Sequence, residues 1–224
     1  APPVVEHLQK NECYPIRYVF SGGHEDVLVE NVTAVNGNDM EAASDAIATC
    51  DIMATAVGAR ILKFIIPNIV AGLRKRWAAN GGPLNIIICE NLMDANKVLE
   101  GLVEASIGRM VPVQTEEMKD GEPMRVCVER YGFLPTDGAA FKGGIPEIKN
   151  MVPFAPFDFY LKRKPYIHNM GHATCAYLGD LLGLEYIYQS IDVADVRILV
   201  QNAMLESAMA LSGKYGVALG DVVM

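Results

Sequence analysis

Leu84-Asn85-Ile86-Ile87-Ile88-Cys89, held between Gly81-Gly82-Pro83 and Glu90-Asn91, decides the fold. Four of its six residues are aliphatic, three of them consecutive isoleucines, and nothing alternates. A short apolar run without alternation reads as a strand buried on both faces, and such strands belong to parallel sheets covered by helices. Residues 51–57 repeat the signal and are stopped by Gly58. Before them, Asn38 or Asp39 can cap a helix running to about Thr49. After them, a helical stretch reaches about Ala79, with a break expected before Pro67, which lacks the donor for its turn. Residues 94–103 suit another helix. Strands alternating with helices imply a parallel, doubly wound α/β sheet. Residues 16–20 and 27–35 are β-branched runs on either side of an expected hairpin turn at Ser21-Gly22-Gly23-His24, and residues 110–113 and 124–129 read as additional strands.

From Pro135 to Pro156 the chain is rich in Gly and Pro, which marks a crossover between domains. Beyond it the pattern is helical: about 157–162, then a helix to about Leu182, then 193–214. The last carries Val196, Leu199, Val200, Ala203, Met204 and Met209 at the spacing of a buried stripe. The expected organisation is an α/β domain over residues 1–142 and an all-α domain over 143–224.

The 224 residues are 51% hydrophobic, enough to build real cores, and carry a net charge of −8. That charge argues against a nucleic-acid partner, because phosphate binding needs a basic face. Arg74-Lys75-Arg76 is expected to be a solvated helix end, where cations meet the negative end of the dipole. The longest apolar run, 61–73, is broken by Lys63, Pro67 and Asn68 and is too short to span a bilayer. No signal peptide opens the chain, and the five cysteines are odd in number and widely spaced. These features suit a soluble, cytoplasmic protein with free thiols and no membrane partner.

Chemistry concentrates in Lys164-Pro165-Tyr166-Ile167-His168-Asn169-Met170-Gly171-His172. On a regular helix Asn169 lies roughly 140° and His172 roughly 80° around the axis from Lys164, so one broad face can carry all three. An amine can exchange a hydroxyl proton, an amide can stabilise an alkoxide-like oxygen, and an imidazole can orient it. Taken alone, Lys, Asn and His on a helix are more often a solvated face. His168 and His172 also stand at the i, i+4 spacing of a zinc pair, although no Cys or carboxylate lies at ligand spacing nearby.

The same segment, running into His172-Ala173 and Ala176-Tyr177-Leu178-Gly179, resembles the catalytic helix of the long-chain mannitol dehydrogenase family. Its N-x-G-H-A-x-x-A-Y-L-G form is closest to the mannitol-1-phosphate 5-dehydrogenase branch. Three further strings follow the family's order: Thr55-Ala56-Val57-Gly58; Asn85 through Asn91; and Phe141-Lys142-Gly143 with Ile145-Pro146. The resemblance implies a Rossmann-type domain followed by a helical one, and a metal-independent oxidoreductase using NAD, with NADP open. It would interconvert a sugar alcohol, foremost mannitol 1-phosphate, with its ketose, fructose 6-phosphate. It makes Lys164 the proton acceptor, Asn169 and Asn91 the oxyanion donors and His172 the orienting group. Thr55, Ala56, Val57 and Gly58 go to the cofactor. Lys162 and Arg163 are expected to help hold the amine of Lys164 neutral.

Asn91 has a second reading as a helix N-cap before Leu92. No G-x-G-x-x-G occurs, so the resemblance places Ala1 just after the family's second strand and expects further helices beyond Met224. Where the family commonly has V-D-R-I-x-P, this chain reads Ile107-Gly108-Arg109-Met110-Val111-Pro112, which leaves the particular polyol open. The alternatives are a hexuronate reductase, a free-mannitol 2-dehydrogenase, and a non-catalytic binding module.

Overall fold

The computed structural model describes residues 2–20, 22–58, 60–90, 102–109 and 111–223. The chain divides into two compact units, Ala1–Pro153 and Phe154–Met224. Residues 143–153 thus group with the first unit, where a boundary at 142 was expected, because β8 (Met151–Phe154) pairs with β7 (Leu134–Asp137).

The first unit is organised by β3 (Ile52–Thr55), β4 (Asn85–Ile88) and β5 (Val103–Glu104), all parallel in the order β3-β4-β5. Thr55 stands beside Ile88, and Ile88 beside Glu104. Ile86, Ile87 and Ile88 are all buried, as an uninterrupted apolar run requires. Ile87 and Val103 meet Ala105, Phe141 and Met151 in one core cluster. The side chain of Asn85 fastens the loop that supplies Phe141: its Nδ2 donates to the Lys142 carbonyl (3.1 Å) and its Oδ1 accepts from the Lys142 amide (2.8 Å).

Helix α2 (Met40–Thr49) starts where Asp39 caps it, Oδ1 accepting the Ala42 amide at 3.1 Å. It packs against α3 (Leu62–Ala78) at Gly72, where a Cβ would lie 2.5 Å from Cβ of Ile47. The expected break at Pro67 does not occur, and α3 runs through it. One lost hydrogen bond is outweighed by Leu62 and Ile69, buried on either side of the proline and each worth about 1.5–3 kcal/mol. Lys75 and Arg76 are likewise more than a solvated end. Lys75 bonds Asp45 at 2.6 Å, and Arg76 Nη1 donates to the carbonyls of Ala48 and Cys50, closing the end of α2.

A second sheet, β2-β1-β6, joins the antiparallel hairpin of β1 (Cys13–Phe20) and β2 (Gly23–Glu30) to β6 (Val126–Val128), which follows the short helix α4 (Glu116–Lys119) and runs parallel to β1. Gly22, at φ +91°, makes the turn between β1 and β2. Arg17 grips Asp26 with two nitrogens at 2.6 and 2.7 Å and holds its carboxyl below the usual carboxylate range. Two other expectations are corrected, and one helix is added. Helix α1 (Pro2–Asn11) was not foreseen, β2 ends at Glu30 rather than 35 because Asn31 turns at φ +60°, and residues 111–113 are irregular. The helix expected over 94–103 lies outside the described residues except at its end, where Val103 begins β5.

The second unit is helical: α5 (Asp158–Arg163), a π-helical turn (Lys164–Asn169), α6 (Met170–Leu181), α7 (Ile187–Asp192), α8 (Ala194–Tyr215) and α9 (Leu219–Val223). Along α8 the buried ridge is Val196, Val200, Ala208 and Leu211, with Met204 partly buried between. Leu199 and Met209, expected in the stripe, are 52% and 58% exposed. The ridge follows i+4 and i+3 steps, and those two residues sit off it. Among the described residues no helix is long and apolar enough to cross a membrane.

Asp39→Ala should lower unfolding stability by about 1 kcal/mol, the usual worth of such a cap. A denaturation midpoint that falls with an unchanged slope is the expected result; an unchanged midpoint would mean that the cap contributes nothing.

Candidate active site

Lys164 opens the π-helical turn and Asn169 closes it. Proline crowds the carbonyl four residues back and donates no hydrogen bond, so Pro165 favours a widened turn at this point of the helix. Winding i→i+5 brings residues five apart closer around the axis than the roughly 140° of a regular helix. The turn therefore gathers Lys164 and Asn169 more tightly than their sequence spacing indicated. Lys164 is half-buried, and burial pushes its pKa below the ordinary lysine value. Its neighbour Arg163 is engaged elsewhere, its Nε donating to the Val222 carbonyl at 2.7 Å. Asn169 is exposed, and Ile167 inside the turn is buried against Phe159, Ala208 and Leu211. The buried isoleucine fixes the orientation of the turn.

His172 lies in the first turn of α6 and is half-buried. Its ring meets that of His168 edge to face, 4.6 Å between centroids. The orientation of α6 follows from Gly171, Cys175 and Gly179, a buried row of small residues four apart. At Gly171 a Cβ would lie 2.6 Å from Met204 Sδ, and at Gly179 one would lie 1.9 Å from Ser190 Oγ. The glycines of the N-x-G-H-A-x-x-A-Y-L-G string thus let α6 close onto α7 and α8, which sets the side on which His172 emerges. Among the described residues no group of three His, Cys, Asp or Glu is placed to hold a metal ion.

In the first unit, Thr55 ends β3 with its side chain 1% exposed, and its Oγ1 has no hydrogen-bond partner. Ala56, Val57 and Gly58 follow as an exposed loop, with Gly58 at φ +89°. Backbone that leaves the carboxyl end of a parallel strand through a positive-φ glycine is where doubly wound sheets receive ligands. Two amides of this loop are held by a residue the sequence reading left without a role. Glu90, 5% exposed, accepts the Val57 amide at Oε1 (3.0 Å) and the Gly58 amide at Oε2 (2.8 Å). A carboxylate placed directly after a buried aliphatic strand was the available signal. Asn91, the expected second oxyanion donor, lies outside the described residues.

At the departure from the V-D-R-I pattern, Gly108 backs onto Tyr131: a Cβ there would lie 2.9 Å from Cε1 of the ring. Arg109 Nε donates to the Tyr131 carbonyl, and Tyr131 occupies the space beside the glycine.

A parallel sheet with a glycine turn at its carboxyl edge, followed by a helical unit, defines a Rossmann-type α/β architecture with an all-α extension. Residues 1–150 match the mannitol dehydrogenase Rossmann domain, and the chain belongs to the mannitol dehydrogenase family. It is 31% identical to a mannitol-1-phosphate 5-dehydrogenase of Brevibacillus brevis, across 95% of this chain and 59% of that protein. The chain thus spans about three-fifths of the length of that curated relative. Two solved structures share the fold. One is a D-sorbitol dehydrogenase in substrate-free form (TM-score 0.77, 14% identity, 90% of this chain and 55% of that one). The other is a Pseudomonas fluorescens mannitol 2-dehydrogenase in ternary complex with NAD and D-mannitol (TM-score 0.73, 15% identity, 98% of this chain and 58% of that one).

Gly179→Ala should destabilise the protein by about 1–3 kcal/mol, because the added methyl overlaps Ser190 in a packed contact. Gly213→Ala in α8, where a Cβ meets nothing within 4 Å, should stabilise it by about 0.5–1 kcal/mol. Thermal unfolding of the two variants should shift in opposite directions; equal shifts would dismiss the close-approach role of Gly179.

Proposed function

We propose that this chain acts in an NAD-dependent polyol dehydrogenase. It would oxidise a sugar alcohol, with mannitol 1-phosphate and fructose 6-phosphate as the favoured pair. The half-buried Lys164, its pKa lowered by burial and set at the head of a π turn that also carries Asn169, is the main support. The kinship to mannitol-1-phosphate 5-dehydrogenase favours the phosphorylated substrate. The first unit would bind the cofactor and the helical unit the polyol. The loop after Thr55 suits a dinucleotide: residues 56–58 are exposed and Gly58 adds no side chain. Bound there, NAD would supply the hydride acceptor.

The chain's own residues would handle the proton and the oxygen. Neutral Lys164 Nζ accepts the hydroxyl proton during oxidation and, as ammonium, returns it during reduction. The Asn169 amide donates to the developing oxyanion, with Asn91 as the second donor, and His172 binds and orients the reacting hydroxyl. Lowering the lysine pKa enlarges the neutral fraction at any pH below it, so burial makes the amine a usable base nearer neutrality.

In protein expressed from the complete reading frame, Lys164→Ala should cut polyol oxidation about a hundredfold or more, the scale of losing a positioned general base. NAD affinity should change little. Wild-type oxidation should rise with pH and level off below the ordinary lysine pKa, while ketose reduction should fall over the same range. Both limbs should vanish in Lys164→Ala, and Lys162→Ala should be mild. Persistence of the limbs without Lys164 would assign the proton to another group. Turnover of mannitol 1-phosphate, mannitol and a hexuronate should be compared side by side, and preference for either of the latter two would overturn the favoured pair.

Activity should also survive exhaustive chelation, because the amine performs the proton transfer that a metal-bound water would otherwise perform. Stoichiometric zinc on His168 and His172, with activity lost on its removal, would reverse that assignment.

A further inference from the structure

Glu90 is a buried carboxylate at the carboxyl end of the central parallel strand, and both of its oxygens are committed. The β3–β4 ladder continues one step past the strands, the Cys89 amide donating to the Thr55 carbonyl at 2.9 Å. Beyond that point no strand among the described residues pairs with β3. Glu90 takes over, crossing 32 and 33 positions of sequence to hold the next two amides. Two charge-assisted bonds from one rigidly rooted side chain fix the peptide planes of Val57 and Gly58. They also fix the aim of the Ala56 and Val57 carbonyls, which belong to the same two peptide planes. Residues 56–58 are themselves exposed, so few apolar contacts hold this loop in place.

We propose that Glu90 is a positioning residue for the dinucleotide: it does not touch the cofactor but sets the shape of the Thr55–Gly58 loop on which the cofactor rests. This deepens the function proposed above and rests on it. A glutamine at 90 retains the size of the side chain but supplies one acceptor and turns a donor toward the other amide, so one bond becomes a clash of donors. An aspartate retains both acceptors on a stem shorter by one methylene.

NADH binding and steady-state kinetics on protein from the complete reading frame provide the test. Glu90→Gln should raise the NADH dissociation constant and the KM for NAD roughly tenfold or more, the scale of losing a charge-assisted bond. It should leave kcat at saturating NAD, the KM for the polyol and the pH limb of Lys164 unchanged. Glu90→Asp should restore part of the affinity. Gly58→Ala provides a second route, because a Cβ there meets nothing within 4 Å but the φ of +89° resists it. It should weaken NADH binding by deforming the same loop, even if a Glu90 variant fails to fold. Unchanged NADH affinity in Glu90→Gln or Gly58→Ala overturns the inference, as does a fall in kcat at constant cofactor KM. A wild-type protein that binds no nicotinamide dinucleotide overturns the proposed function and this inference together, whereas normal wild-type binding with unchanged variants sinks the positioning role alone.

Discussion

The parallel pairing of β3 with β4 is the constraint on which the first unit depends. Three consecutive isoleucines in β4 leave no face of the central strand for water, so both faces must be covered. That requirement recruits Phe141 and Met151 for the core beside Ile87, while α2 and α3 close on each other at Gly72. Because the strands run parallel, their carboxyl ends lie together. Thr55, Glu90 and the loop through Gly58 therefore reach one edge without any of them needing to be neighbours in sequence.

In the helical unit a proline and a row of small residues replace the sheet as organisers. Pro165 disturbs the hydrogen-bond ladder where α5 would otherwise continue, and the wider turn that results carries Lys164 and Asn169. Desolvating an amine there has an energetic cost, met by the packing of Phe159, Ile167, Ala208 and Leu211 beneath the turn. The residue that faces inward, Ile167, orients the turn that carries the proposed chemistry. The shared glycine-rich string follows the same logic, since Gly171 and Gly179 face α8 and α7 while His172 stands beside them.

Elements with a single dominant local signal were legible in the sequence. The Asp39 cap, the isoleucine strand and helices α5, α6 and α8 carry their cause within a few residues, whereas the short α7 and α9 were not foreseen. Features set by distant partners were not. Pro67 reads as a breaker until Leu62 and Ile69 are seen buried around it, and the basic end of α3 reads as solvated until Asp45 and the carbonyls of α2 meet it. Glu90 belongs to the same group, because its partners lie 32 and 33 residues away. The π turn had a local cause in Pro165. Its consequence, drawing Lys164 and Asn169 together, depends on the helix winding differently from the regular period that sequence spacing assumes.

Gly108 and Tyr131 are sterically coupled. Any side chain at 108 needs a Cβ 2.9 Å from Cε1 of the Tyr131 ring. A larger residue at 108 is therefore admitted only together with a second change, a smaller residue at 131 or a rotated ring, so the two positions answer to substitution as one unit rather than as two.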